Sequence, residues 1–345
     1  ARVCAVRTRE LTRAAMSDLL GGVDPRGHAI ADATDAALLG ALAIAGREEA
    51  ERWGSERAHV TFVAMGRYGG RECSYASDAD VIALHEPVGG ASDSEAAASA
   101  TAIVNRVKKL LGSATSQLGI VVDLDLRPEG KNGPMSRTIA SHEEYAQRWA
   151  STWERQAAVR ARPIGSSDLD ERARALFESM AYREVSESEV RDIRLLKARM
   201  ENERLPRGSE PARHVKLGPG GLSDVEWTIQ LIQMRHGARL PALRTPSTTQ
   251  AIAVARDAGL LAAPDAEILL NAWDLATRIR AGNTLATGRM SGVKLDVVPR
   301  DSAELGALAA ILGYGSGGLT ALEEDWLRAA RQARNVMERA FWEQQ

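Results

Sequence analysis

Between Glu10 and Arg57 alanine and leucine recur at helical spacing, for example Ala36, Ala37, Leu39, Leu42 and Ile44, with one interruption at "GGVDPRGH" (residues 21–28). Helices are expected on either side of it. The pattern then changes. Three short apolar runs rich in β-branched residues follow, "HVTFVAM" (59–65), "DVIALHE" (80–86) and "GIVVDLDLR" (119–127). None contains proline, and each reads as a strand. Ser92 and Glu95 stand at capping-box spacing ahead of an apolar-periodic stretch (91–117), which predicts a helix joining the second and third strands.

After Arg127 the spacing becomes helical and stays so, over residues 141–162, 186–205, 222–237, 245–261, 263–282 and 319–343. The expected architecture is therefore α+β: a small mixed sheet with helices, followed by an all-helical domain. Punctuation at "PIGSSDLD" (163–170) sets the expected division at 1–165 and 166–345. No internal repeat is visible, and low complexity is confined to an alanine-rich patch at 96–102. A second punctuated stretch, "LPRGSEPARHVKLGPGGL" (205–222), lies within the helical part, and in "KLGPGGLSDVEW" (216–227) Ser223 and Glu226 are spaced as a capping box and Asp224 favours a helix start. An anion or partner contact by Lys216 and the helix-start N–H groups is the functional alternative there.

The 345 residues are 44% hydrophobic and 26% charged, which suits a soluble globular chain of two or three domains. Formal net charge is −2 without a basic stripe, which disfavours nucleic acid as the principal partner. Cys4 and Cys73 are the only cysteines and form no CxxC, so a reducing, cytoplasmic setting is expected, with neither disulfides nor a zinc site. No apolar run approaches the roughly 20 residues of a membrane span, and no signal-peptide core is present. A start at Ala1 without an initiator Met suggests an excised fragment. The six histidines form no HxxxH or HExxH pattern, and no GxSxG elbow occurs. The seven tryptophans are read as helical core.

The candidate chemistry lies in "MGRYGGRECSYASDADVIALHE" (65–86). Asp78 and Asp80 are two apart, so on an extended strand they share a face about 6.6 Å apart. Two carboxylates drawn to about 4 Å repel by on the order of 4 kcal/mol at an effective dielectric of about 20. A shared proton or a cation resolves this, and a divalent metal does so best. Asp123 and Asp125 repeat the spacing on the third expected strand, so adjacent strands would put three or four acids on one edge. Oxygen-only sites suit Mg²⁺ or Mn²⁺, and two such ions would support in-line phosphoryl transfer. Gly66, Gly69 and Gly70 precede the acids, where backbone without Cβ can approach a polyphosphate. Arg67 and Arg71 add positive charge nearby. Arg127 and Lys131 either pair with phosphate oxygens or form salt bridges to the acids. Glu154, Arg155, Arg160 and Arg162 read as a solvated helix face, with Arg160 as the one that could reach a nucleotide.

"GRYGG…SDAD" with a later third acid resembles the nucleotidyltransferase superfamily that includes DNA polymerase beta. "GRYGGRECSYASDAD", "VDLDLRPEGKNGP", "WERQAAVRARPIG" and "KLGPGGLSDVEWTIQL" together resemble the glutamine synthetase adenylyltransferase/adenylyl-removing family over most of residues 60–240. Its members carry two nucleotidyltransferase units, and "IRLLKARMENERLPRG" is most similar to the C-terminal, adenylylating half of actinobacterial members. The resemblance implies a polymerase beta-like domain before the helical one. It implies Asp78 and Asp80 as paired metal ligands and Asp123 as the third acid, ahead of Asp125, which stands where several relatives carry Arg. It makes Gly66, Arg67, Gly69, Gly70, Ser77 and Arg127 the nucleotide-binding set. The implied reaction moves AMP from ATP to a tyrosine of glutamine synthetase, with Mg²⁺, releasing pyrophosphate. The alternatives are the phosphorolytic removing half, a non-catalytic module binding glutamine synthetase or a PII-type signalling protein, and an antibiotic or nucleic-acid nucleotidyltransferase.

Overall fold

A computed structural model describes residues 2–20, 26–112, 119–315 and 317–343. Most of the expected helix break at 21–28, the end of the stretch 91–117 beyond Gly112, and residues 344–345 lie outside the described residues. The chain divides into two compact units, Ala1–Asp18 with Val23–Cys73 and Ser77–Ala181, and Leu19–Gly22 with Ser74–Ala76 and Tyr182–Gln345.

In order, the first unit carries α1 (Arg2–Leu19), α2 (Arg26–Trp53), β1 (Ala58–Ala64), α3 (Gly66–Gly69), β2 (Ala79–Pro87), α4 (Asp93–Leu111), β3 (Val122–Asp123), β4 (Ser136–Arg137), α5 (Ile139–Arg148), α6 (Thr152–Ala158), β5 (Arg162–Pro163) and α7 (Asp168–Ala181). The sheet is mixed. Its order is β3-β2-β1-β5, with β4 also on β2; β1 runs antiparallel to β2 and β5, while β3 and β4 run parallel to β2. β4 and β5 correct the expectation that strands end at Arg127: two residues cannot display a period of two.

β1 and β2 are apolar runs because both sheet faces are covered. Val60 packs toward Ala96 and Ala100 of α4, whereas the next residue, Thr61, donates its hydroxyl to Asp170 of α7. Neighbouring strand residues point to opposite faces, so α4 and α7 cover opposite sides. Phe62, Val81 and Leu84 are fully buried, contributing about 1.5–3 kcal/mol each. The Ser92–Glu95 capping box forms: Ser92 N–H donates to Glu95 Oε2 at 3.0 Å and Glu95 N–H to Ser92 Oγ at 3.4 Å.

α2 corrects the expectation that no apolar segment is long enough to span a membrane, since Gly27–Trp53 is long and apolar enough by composition. Alanine-rich composition raises its hydropathy. In the fold it packs on α4, buries Ile30, Ala31, Leu38 and Ala41, and carries Asp32 and Asp35 in ion pairs, as a core helix does.

The second unit is helical: α8 (Glu187–Glu203), α9 (Leu222–His236), α10 (Thr248–Asp257), α11 (Ala263–Thr287), α12 (Ser302–Ile311) and α13 (Leu319–Met337), the last running into a π-helical turn at Glu338–Trp342. Ile229, Leu269, Ile279, Leu308 and Trp326 centre its core. The expected capping box at Ser223 is absent. α9 starts at Leu222 with Gly221 as its cap, so Ser223 is already inside the helix and buried. Asp224 instead accepts from Lys197 Nζ at 2.6 Å, Gly220 N–H at 2.7 Å and Arg334 Nη1 at 3.1 Å, while Glu201 bridges Lys197 and Arg334. This buried network clamps α8, α9 and α13 together. The tryptophans are corrected in part: Trp273 and Trp326 are core, but Trp53, Trp149 and Trp153 are exposed.

Candidate active site

β1 delivers the chain to a tight turn. At Gly66 φ is +53°, in the left-handed region that favours glycine, and α3 is a single helical turn. Met65 N–H donates to Asp80 O at 2.9 Å, which ties the turn to the start of β2. A Cβ on Gly66 would lie 3.3 Å from Asp80 Oδ2, so the carboxylate sits against the bare α-carbon.

β2 begins at Ala79, with Asp78 exposed just before it and Asp80 half-buried within it. Ala79 N–H donates to Val121 O at 2.9 Å, and the parallel register pairs Ala79 with Val122 and Asp80 with Asp123. Paired residues share a face, and neighbouring strands lie about 4.8 Å apart. The backbone thus sets Asp80 beside Asp123, with Asp78 just outside the strand, two residues before Asp80. Ser77 adjoins Asp78 and is half-buried.

Asp125 does not join them. Asp123 Oδ1 accepts from the Asp125 N–H at 2.7 Å, an Asx turn that ends β3 after two residues. The expectation of Asp123 and Asp125 on one strand face is therefore corrected. Asp125 is exposed and faces Lys131 at 3.3 Å and Arg127 at 3.9 Å. Arg127 is buried, donating to Leu124 O at 2.9 Å and Gly133 O at 3.2 Å, and so braces this turn.

The three glycines do different work. A Cβ on Gly69 would come 1.8 Å from Arg160 O and 2.7 Å from Ala64 O, so its neighbour is protein backbone. Gly70 N–H donates to Gly66 O at 3.1 Å and closes the turn. Arg67 is half-buried on it, and Arg71, at φ +57°, pairs with Asp32 of α2. Arg160 and Arg162 are not a solvated face: both are buried or half-buried behind the turn, with Glu72 and Asp35 as their carboxylate partners. Sequence reading missed Asp35, Tyr68, Glu72 and the role of Arg162, since these contacts span up to 127 positions and no local spacing marks them. Burial, with Asp35 adding to it, raises the Tyr68 hydroxyl well above its usual range, and burial pushes the free Cys73 thiol up to about 12. Neither is poised as a nucleophile.

A metal fits this edge by donor chemistry. Asp78, Asp80 and Asp123 offer only oxygen, and the cradle at Gly66 keeps Cβ bulk away from Asp80. Among the described residues no three ligating side chains already converge into a metal-holding cluster; strand register brings Asp80 and Asp123 to one edge, next to Asp78 in the chain.

A family model described as glutamate-ammonia ligase adenylyltransferase matches residues 2–177, and one described as GlnD PII-uridylyltransferase matches residues 194–341. A bifunctional glutamine synthetase adenylyltransferase/adenylyl-removing enzyme of Streptomyces coelicolor is 43% identical over 359 residues, which cover 99% of this chain and 35% of that protein. Proteins of the same name from Bifidobacterium longum subsp. infantis and Mycobacterium marinum are 43% and 37% identical, covering 99% and 97% of this chain and 32% and 34% of their own length. The chain spans about a third of the length of these relatives.

Proposed function

The chain belongs to the glutamate-ammonia ligase adenylyltransferase family, and from that premise we propose that it transfers AMP from ATP to a tyrosine hydroxyl of glutamine synthetase and releases pyrophosphate. The observation that carries this reading is the register of β2 and β3, with Asp80 beside Asp123 and Gly66 turned against Asp80. Asp78, Asp80 and Asp123 would hold Mg²⁺ or Mn²⁺, and the bound metal supplies charge stabilisation to phosphoryl oxygens. The tyrosine oxygen attacks the α-phosphorus and the bond to pyrophosphate breaks. Asp123 stands to take up the tyrosine proton, held in place by the Asp125 N–H. Gly66, Arg67 and Gly70 form the turn that the triphosphate approaches, with Ser77 beside the first acid. Catalysis is by positioning and electrostatics, with no covalent intermediate on the protein. The likeness of residues 194–341 to PII-uridylyltransferase supports a PII-type signalling protein as regulatory partner, and a cytoplasmic setting accords with such partners.

The direction of transfer is tested by incubating the chain with glutamine synthetase, ATP and Mg²⁺ and following pyrophosphate, against adenylylated synthetase and orthophosphate followed for ADP. Pyrophosphate release supports the adenylylating reading, and ADP release with no pyrophosphate reverses it.

A further inference from the structure

We propose that Arg160 and Arg162 are positioning residues for the nucleotide: from behind the glycine turn they hold its carbonyls and so fix Gly66 against Asp80. The inference rests on the adenylyl-transfer reading and extends it to residues outside the acid edge. Arg160 donates from Nε to Gly66 O at 3.1 Å and from Nη2 to Glu72 Oε2 at 2.5 Å. Arg162 donates from Nε to Gly69 O at 3.1 Å and from Nη2 to Tyr68 O at 3.4 Å. Its Nη1 and Nη2 also grip Asp35 at 2.8 and 3.0 Å, and Tyr68 donates its hydroxyl to the same carboxylate at 2.6 Å.

Three carbonyls of one four-residue turn thus end on two guanidinium groups, each neutralised by its own carboxylate. The arrangement follows from topology. β5 pairs with β1 at Ala64 and Arg162, one residue before Met65 and the turn, so the strand that carries Arg162 runs directly beneath it. Gly69 permits this closeness, because a Cβ there would meet Arg160 O. Arg160 and Glu72 are nearly inaccessible, with 3% and 8% of their side chains exposed, which points to action through the turn and not on the ligand. Only a guanidinium can serve a carboxylate and a carbonyl at once with fixed geometry; an ammonium keeps the charge but not the fork.

The test uses the full 345-residue chain and its Arg160→Lys, Arg162→Lys and Ser92→Ala variants, with MgATP affinity measured by titration calorimetry and melting temperature by scanning fluorimetry. Each Lys variant is expected to weaken MgATP about tenfold, from loss of a charge-assisted hydrogen bond. Ser92→Ala, which removes the cap of α4 and touches neither the turn nor its arginines, is expected to lower the melting temperature and leave the affinity unchanged. Folded Lys variants that bind as tightly as the parent overturn the proposal and leave the reading of the acid edge standing. Should one variant unfold, the other decides; unfolding of both overturns the proposal, since the arginines are then scaffold. A parent chain that binds no MgATP overturns the proposal and the reading together.

Discussion

A single methyl group separates the two kinds of glycine in the turn. In Gly66→Ala the new Cβ sits at φ +53° and 3.3 Å from Asp80 Oδ2. The left-handed conformation costs an L-residue about 1–2 kcal/mol. For a domain of this size that is a fall of roughly 2–8 °C in melting temperature, so the protein stays folded. The close contact falls on a carboxylate that must give by a few tenths of an ångström, and the loss appears in chemistry. A displacement of this order at a reacting centre is expected to lower turnover about tenfold or more. In Gly69→Ala the Cβ would stand 1.8 Å from Arg160 O and 2.7 Å from Ala64 O, both backbone. Neither side can yield without moving a strand, so the cost is about 3 kcal/mol or more and falls on the fold. Scanning fluorimetry and pyrophosphate release, measured on both variants, separate the cases. A Gly66→Ala protein with full activity, or a Gly69→Ala protein as stable as the parent, would refute the division of labour.

Three other outcomes are expected. Lys197→Met leaves Asp224 buried with Arg334 as its remaining cation; both side chains of the lost pair are 1% exposed, so urea denaturation should show a loss of about 3 kcal/mol. His142 lies against Phe177, and burial, with Arg137 adding to it, pushes its imidazole down to about 4. The folded state thus keeps it neutral while the unfolded chain protonates near its ordinary 6.5. Its stabilising contribution is fully present above pH 6.5 and is lost as pH falls toward 4, about 3 kcal/mol in all, and His142→Phe should flatten that part of a stability–pH profile. Ser92→Ala removes the cap of α4 and should cost about 1 kcal/mol by the same denaturation assay, with nucleotide affinity unchanged.

What the sequence made legible follows physical length and locality. β1 and β2 are seven and nine residues long and covered on both faces, so their apolar runs stand out. The Asp78–Asp80 spacing and the Asp123 position were readable because each sits at the edge of such a run. The end of β3 was not: "VVDLDLR" alternates as a strand should, but the Asp123 side chain captures the Asp125 N–H and diverts the backbone. At "GGLSDVEW" the serine has capping-box spacing, yet the glycine loop already supplies the cap at Gly221 and Asp224 is held by Lys197 and Arg334. The support of the turn was hidden for a different reason. Asp35 meets Arg162, and Glu72 meets Arg160, only through tertiary structure, and in sequence they look like ordinary surface charges.

Adenylyl transfer at the aspartate edge is tested most directly by label transfer from α-phosphate-labelled ATP to glutamine synthetase in Mg²⁺, with the parent chain and its Asp78→Asn/Asp80→Asn variant run side by side after circular dichroism has shown both folded. Label is expected on the synthetase with the parent, and at a rate slower by roughly a thousandfold with the variant. Equal labelling by both chains would contradict it.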